Sequence, residues 1–233
     1  MSQPILLIIG AGPNIGASVA RSFASKGYRI ALASRKTPSY EIKDSLHITV
    51  DLANPSQVPS VFDTVKQKWG ASPSVVVYNA AVFFPDQGED VLSQFDFKKF
   101  ETSNAINTTS VISALQQSVA GFKTLPASAS KTFIFTGNML NSTPAPGFLL
   151  FGAGKATTAY FIRHLVQQKS YQGDGIKFYY TDQRQSNGAP MGTGVEGDAA
   201  GVEYLKLAER PDQGPWDYTF VKGEGYKDFS SAN

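Results

Sequence analysis

The sequence predicts one α/β domain, built on a doubly wound parallel sheet with helices on both faces. Strand-like and helix-like patterns alternate along the whole chain, and a glycine-rich turn joins the first strand to the first helix. A length of 233 residues is long for one average domain and short for two. Regular β-α alternation needs crossover connections, which place helices on both faces of a parallel sheet. We therefore interpret residues 1–233 as a single domain.

The first strand and the turn after it carry the most informative local pattern. Residues 4–9 form a short run that is mostly large and apolar, as expected of a buried parallel strand. In the turn that follows, Gly10 permits a tight bend, Gly12 leaves room for a phosphate, and Gly16 allows close packing of the helix. Because a helix N-terminus attracts a pyrophosphate, this turn predicts a dinucleotide site. A purely structural glycine turn is the alternative.

The remaining elements follow from apolar periodicity and from turn residues. Further strands are predicted over residues 28–33, 46–50, 75–77, 132–135, 176–180 and 218–221. Helices are predicted over residues 58–69, 97–119, 149–168 and 196–209, the last of them broken at Gly201. The glycine-containing stretch 183–194 reads as a loop, and residues 183–210 form the predicted substrate-loop region.

Residues that follow the second strand bear on cofactor choice, since ligands bind beyond the carboxyl ends of the strands in such sheets. Ser34, Arg35 and Lys36 stand where a carboxylate would bind the ribose of NAD(H). An arginine there suits a 2′-phosphate instead, so we expect NADP(H) to be preferred over NAD(H). The alternative is a solvated basic loop.

The next two strand ends supply further candidates. Asp51-Leu52 follows the third strand, where a carboxylate can accept a hydrogen bond from an adenine amino group. Alternatively, Asp51 caps the next helix. Asn79-Ala80-Ala81 follows the fourth strand, and its small residues let the backbone approach a ligand.

These motifs together resemble those of the short-chain dehydrogenase/reductase family, over residues 4–169 and more loosely to the end of the chain. The family's middle glycine in the first motif is Asn14 here, and asparagine tolerates unusual backbone angles. The resemblance implies a Rossmann-like fold, a nicotinamide cofactor, and a homodimer or homotetramer assembled through the two long helices. The predicted cofactor-binding residues are Gly10, Gly12, Asn14, Ile15, Gly16, Ser34, Arg35, Asp51, Leu52, Asn79, Ala80, Ala81 and Lys155.

The resemblance also implies a catalytic scheme from which this chain departs. In the family a tyrosine donates a proton, a lysine four residues later lowers its pKa, a serine orients the carbonyl, and an asparagine holds a water. The lysine is Lys155 and the asparagine is Asn107, whereas Phe151 stands at the tyrosine position and Asn138 at the serine position. Phenylalanine has no exchangeable proton, so Phe151 cannot act as an acid or base.

Another group must therefore donate the proton if the protein reduces a carbonyl. Alternation within the sixth strand directs only one of Tyr179 and Tyr180 toward a given face, and packing within the sheet is the alternative for both. Asp182 and Arg184 follow and can reach the cleft. The predicted catalytic residues are Lys155, Asn138, Asn107, Phe151 and Tyr180.

Together with the resemblance, these residues imply an NADP(H)-dependent oxidoreductase that acts on an activated C=C, C=N or C=O bond of a small molecule. The first alternative is a non-redox enzyme on the same fold, such as a cyclase, isomerase or lyase. The second is a catalytically inactive NADP(H)-binding protein. Net oxidation of NADPH distinguishes the first hypothesis from both alternatives.

Composition excludes several other classes. The chain has no cysteine, which rules out disulfides, thiolate metal sites and a cysteine nucleophile. His47 and His164 have no neighbours at metal-ligand spacing, so no metal site is predicted. A net charge of +2 without a basic patch argues against nucleic acid as a partner. With no membrane-length apolar run and no signal peptide, we expect a cytoplasmic protein.

Overall fold

The computed structural model describes residues 3–86, 88 and 90–229, and it shows one α/β domain around an eight-stranded sheet. The strands are β1 (Ile5–Ile9), β2 (Arg29–Ser34), β3 (Leu46–Thr49), β4 (Val75–Tyr78), β5 (Thr132–Thr136), β6 (Lys177–Gln183), β7 (Asp217–Val221) and β8 (Gly225–Tyr226). Their order across the sheet is β3-β2-β1-β4-β5-β6-β7-β8. Strands β1 to β7 are parallel, and β8 pairs antiparallel with β7. The predicted fold class is confirmed.

Helices cover both faces of this sheet and bury two apolar clusters. The helices are α1 (Ile15–Ser25), α2 (Val58–Trp69), α3 (Phe97–Asn104), α4 (Ser110–Phe122), α5 (Leu149–Gln167) and α6 (Gly197–Glu209). Helices α1 and α6 pack on one face, and α2, α4 and α5 pack on the other. In the residues that the structure describes, no helix is both long and apolar enough to cross a membrane.

Two predicted helices differ from the structure. The helix expected over residues 97–119 contains a π-helical segment, Ala105–Thr109, between α3 and α4. Helix α6 continues without a break through Gly201. A Cβ atom at Gly201 would lie 2.6 Å from the Ser22 hydroxyl and 3.0 Å from the Ser18 carbonyl oxygen. Glycine is therefore present at this position because α1 and α6 approach closely, and not because the helix ends.

The sixth strand is longer than predicted, and this moves the start of the loop after it. Strand β6 runs to Gln183, so Asp182 lies within a strand whose residues are all buried. The connection to α6 is consequently residues 184–196, and part of the predicted substrate-loop region is helical. Strand β8 was not predicted, because a two-residue strand is too short to show alternation.

Candidate active site

The glycine turn lies between β1 and α1 and contacts the segment after β4. Gly10 has a φ of +93°, and a Cβ atom there would lie 2.3 Å from the Ala80 backbone nitrogen. The Asn79 side-chain amide donates to the Gly10 carbonyl oxygen at 2.9 Å. A Cβ atom on Gly12 would meet nothing within 4 Å. Gly10 is thus required by the fold, whereas Gly12 borders open space.

Asn14 joins this turn to the start of α6. Its Nδ2 donates to the Val195 carbonyl oxygen at 2.8 Å, and its Oδ1 accepts from the Gly197 N–H at 2.8 Å. Its backbone angles, φ −90° and ψ −93°, are unusual but lie outside the left-handed region. The amide side chain therefore has a structural role in addition to the tolerance that we expected of asparagine.

The end of β2 presents a cation to solvent. The Ser34 hydroxyl donates to the Lys36 carbonyl oxygen at 2.8 Å, which shapes the turn. The Arg35 side chain is exposed. A guanidinium in this position is free to meet a phosphate group beyond the carboxyl end of β2.

Asp51 follows β3, and its hydrogen bonds show whether it caps the next helix. Its Oδ1 accepts from the Ala53 N–H at 3.1 Å within a local turn. The residue that caps the following helical turn is Asn54, whose side chain accepts from the Ser56 N–H at 3.3 Å. The capping interpretation of Asp51 is therefore wrong, and its carboxylate is exposed beside the buried Leu52.

The residues along this edge fit the predicted dinucleotide. The open space beside Gly12 adjoins the N-terminus of α1, whose free N–H groups favour a pyrophosphate. Arg35 and Asp51 are exposed at the ends of two neighbouring strands. These residues are therefore compatible with a dinucleotide cofactor along the carboxyl edge of the sheet.

Lys155 is buried on α5, with only 3% of its surface exposed. Its Nζ donates to the Thr136 carbonyl oxygen at 2.7 Å and lies 4.4 Å from the ring centre of Phe135 and 5.1 Å from that of Phe151. Burial lowers the pKa of this amine to about 7, although the Asp182 carboxylate opposes the shift. Burial therefore makes the neutral amine more accessible than in a solvent-exposed lysine.

Asn107 lies in the π-helical segment, and its side chain is hydrogen-bonded to the loop after β4. Its Oδ1 accepts from the Val82 N–H at 3.0 Å, and its Nδ2 donates to the Val82 carbonyl oxygen at 2.8 Å. Its own carbonyl oxygen accepts from the Thr158 hydroxyl on α5 at 3.0 Å. The side chain and the carbonyl of Asn107 are thus bonded to protein groups.

The Tyr180 side chain forms two hydrogen bonds with the backbone of Asn138. The Tyr180 hydroxyl donates to the Asn138 carbonyl oxygen at 2.7 Å and accepts from the Asn138 N–H at 3.0 Å. Burial raises the pKa of Tyr180 well above its usual value. We therefore correct its assignment as a candidate proton donor, because its hydroxyl is held by the backbone and the packing alternative fits the geometry.

A cavity of about 470 Å³ opens at the carboxyl ends of β5 and β6. One side is aromatic, with the Phe83 ring stacked on Phe148 at 4.8 Å and edge-on to Phe151 at 5.8 Å. The residues lining the cavity include Ile15, Thr136, Asn138, Met139, Leu140, Thr181, Asp182, Gln183, Pro190, Met191, Val195, Ala200, Tyr204 and Phe220. The cavity therefore brings Ile15 of the glycine turn together with Asn138 and Phe151.

Two ionisable side chains of the described residues line this cavity, Asp182 and Tyr204. Burial raises the pKa of Asp182 to about 6, and the adjacent Arg184 guanidinium, an ion-pair partner, opposes the shift. Burial raises the pKa of Tyr204 to about 12. Sequence reasoning missed Tyr204, because its position on α6 resembles that of any buried helical residue.

In the described part of the chain, no group of three or more His, Cys, Asp or Glu residues is placed to hold a metal.

Comparison with known proteins agrees with this architecture. The family model described as short chain dehydrogenase matches residues 4–180. The short chain dehydrogenase/reductase dmxR12 of Cryptosporiopsis sp. (strain 8999) is 42% identical over 241 residues, which cover 98% of this chain and 96% of the relative.

Solved structures of lower identity share the fold. The NADH-dependent reductase A1-R′, solved with NAD, superposes with a TM-score of 0.75 at 17% identity, covering 93% of this chain and 95% of that chain. A short chain dehydrogenase from Burkholderia cenocepacia, solved with NADP, gives a TM-score of 0.72 at 18% identity, covering 95% and 97%. From the family match and the relative at 42% identity, we conclude that this chain belongs to the short chain dehydrogenase family.

Proposed function

We propose that this protein is an NADP(H)-dependent oxidoreductase that reduces an activated C=C, C=N or C=O bond of a small molecule. The observation that carries the proposal is the shared cavity, which is lined by Ile15 at the glycine turn and by Asn138 and Phe151. A cofactor bound along the glycine turn would reach the same space as the substrate. The mainly apolar wall suits an organic substrate, with residues 184–196 as the segment that shapes it.

The preference for NADP(H) rests on Arg35. Its exposed guanidinium follows β2, and the residues beside it, Ser34 and Lys36, carry no carboxylate to bind a free 2′-hydroxyl. A bound reduced nicotinamide supplies the hydride that the reaction needs. Structures with similar folds were solved with NAD and with NADP, so the fold supports either cofactor.

We further propose that Phe151 and Asn138 stand at the positions of the family's tyrosine and serine. The four-residue spacing between Phe151 and Lys155 places both on one face of α5, and the 5.1 Å between the Lys155 amine and the Phe151 ring supports this. A positioned general acid contributes roughly 10²–10⁴ to a rate. The favoured substrates are therefore those whose reduction depends less on a phenol donor.

One observation favours the alternative of an NADP(H)-binding protein without redox activity. The Lys155 amine donates to the Thr136 carbonyl oxygen, and Lys155 is not among the described residues that line the cavity. In this arrangement the Lys155 amine is hydrogen-bonded to the backbone and does not line the cavity. Oxidation of NADPH in the presence of an acceptor separates the two functions.

We also propose a homodimer or homotetramer assembled through the two long helical segments. Tyr160 and Phe161 on α5 are exposed apolar side chains on a helix that lies at the surface, which supports this arrangement. Light scattering after size-exclusion chromatography measures the assembly directly.

The test of the cofactor assignment is a calorimetric titration with NADPH and NADH. In Arg35→Ala we expect the Kd for NADPH to rise roughly 10–100-fold, the range for a lost charge-assisted hydrogen bond, with weak NADH binding unchanged. Arg163→Ala, which removes an exposed arginine of α5, serves as the matched control and should not alter either Kd. Absence of binding of both nucleotides to the wild-type protein would contradict the proposed function.

A further inference from the structure

The cavity contains few groups that can give a proton to a substrate. Phe151 has no exchangeable proton, and the hydroxyls of Thr136, Thr181 and Thr193 are far too weakly acidic. Among the lining residues that the structure describes, the remaining donors are Asp182 and Tyr204. The choice between these two depends on how each is held.

Tyr204 is held in a hydroxyl network. Its oxygen accepts from the Thr181 hydroxyl at 2.7 Å and shares a hydrogen bond with the Thr136 hydroxyl at 3.0 Å. Only 1% of the residue is exposed. Because burial raises its pKa to about 12, Tyr204 is a weaker acid than a free tyrosine and is poorly suited to proton donation.

Asp182 lies at the carboxyl end of β6, on the wall of the cavity, and is 4% exposed. Its Oδ2 is paired with the Arg184 Nε, which fixes the orientation of the carboxyl group. Arg184 is itself anchored, since its Nη1 donates to the Gly188 carbonyl oxygen at 2.8 Å. The carboxyl group is thus positioned by a partner that does not fill the cavity.

The charges around Asp182 come from several elements. Burial disfavours its carboxylate, and Asp217 of the neighbouring strand acts in the same direction. Arg184 and the Lys155 amine of α5 favour the carboxylate. The hydroxyls of Tyr180 and Tyr204 also experience its charge. The balance leaves a protonated carboxylic acid populated close to neutral pH, the condition in which enzymes use carboxyl groups as general acids.

We propose that the Asp182 carboxyl group, oriented by Arg184, donates the proton that completes reduction of the substrate, in place of the phenol absent at Phe151. This inference rests on the proposed function. A reduced nicotinamide, when bound, would supply the hydride that forms the new C–H bond as the C=X π bond breaks. The Asp182 O–H bond breaks, and its proton binds to the other atom of the former double bond. The Asp182 carboxylate remains beside Arg184 and regains a proton from solvent.

The test compares four conservative variants with NADPH and two probe acceptors, phenanthrenequinone for C=O and cinnamaldehyde for conjugated C=C. Asp182→Asn keeps the size of the side chain but cannot donate an acidic proton. Asp217→Asn is the matched control, because Asp217 is a partly buried carboxyl that binds the Asn141 amide at 3.0 Å and is not among the cavity-lining residues. Tyr204→Phe removes the competing donor.

We expect kcat/KM of the wild-type protein to fall as pH rises above about 6, where Asp182 loses its proton. Asp182→Asn should lose that dependence and be roughly 10²–10⁴ slower at low pH, with an unchanged Kd for NADPH. Asp217→Asn should retain the pH dependence, displaced to slightly lower pH because Asp217 helps to raise the pKa of Asp182. Tyr204→Phe should also retain a fall in kcat/KM as pH rises, with the wild-type midpoint. Asp182→Glu, which keeps the acid, should retain the dependence and covers the case in which Asp182→Asn does not fold.

A second readout needs neither substrate nor cofactor. In protein labelled with ¹³C at the aspartate carboxyl carbons, one resonance should titrate near pH 6 and be missing from Asp182→Asn. Wild-type rates and an unchanged pH profile in Asp182→Asn would overturn the proton-donor assignment and leave the reductase function standing. Failure of the wild-type protein to oxidise bound NADPH with either probe would overturn the proposed function, and the role of Asp182 with it.

Discussion

Replacing Lys155 by methionine should stabilise the folded protein near neutral pH. Burial lowers the pKa of Lys155 from 10.5 to about 7, so between these values the unfolded chain binds a proton that the folded protein releases. The unfolding free energy of the wild-type protein therefore falls as pH decreases across this window, by up to about 1.4 kcal/mol per pH unit. Over the whole window this amounts to roughly 5 kcal/mol, an upper limit because the protein relaxes around a buried charge.

The substitution also removes a hydrogen bond. The Lys155 Nζ donates to the Thr136 carbonyl oxygen at 2.7 Å, and the loss of such a bond costs about 1 kcal/mol. The net gain of Lys155→Met at pH 7 is then at most roughly 4 kcal/mol. Above pH 10.5 the lysine is neutral in both states, and the variant should be slightly less stable than the wild-type protein.

Urea denaturation at several pH values between about 6 and 10 measures this difference, because each curve yields the free energy of unfolding. The control is Lys98→Met on α3, where the lysine is exposed, and its curve should run parallel to that of the wild-type protein. If Lys155→Met also runs parallel to the wild-type protein, Lys155 remains charged when folded. In that case the attraction of Asp182 outweighs burial, and the reasoning is refuted.

Two further predictions concern the cavity and the glycine turn. The double substitution Phe151→Tyr and Asn138→Ser should raise the rate of NADPH-dependent reduction of phenanthrenequinone at pH about 8 by roughly 10²-fold. The reason is that a phenol remains protonated at that pH and can donate its proton. An unchanged rate with intact NADPH binding would contradict the assignment of both positions. Asn14→Ala should accelerate amide hydrogen exchange at Gly197, whose N–H donates to the Asn14 side chain at 2.8 Å. Asn54→Ala, at an unrelated helix start, should leave that exchange unchanged, and equal rates in both variants would refute a role for the Asn14 bond.

Much of the fold was predictable because the signals are local. The apolar run before Gly10 identified β1, and the helical spacing that ends at Gly70 identified α2. The incorrect predictions concern residues whose conformation is set by contacts with distant parts of the chain. From the sequence alone, Gly201 resembles a helix breaker. The structure shows that α6 continues through it, and that a larger side chain there would collide with α1. The extension of β6 to Gln183 depends on pairing with β7, which no pattern within the strand reveals.

The sequence by itself determined the order of strands and helices, the glycine turn, the cation after β2 and the absence of a phenol at Phe151, since these depend on composition and short-range periodicity. The tertiary structure alone decided which side chains share the cavity. It buried the Lys155 amine against Thr136, held the Tyr180 hydroxyl on the backbone of Asn138, and placed Asp182 on the cavity wall. The physical reason is that burial and charge pairing arise between residues far apart in the chain, where local patterns carry no information.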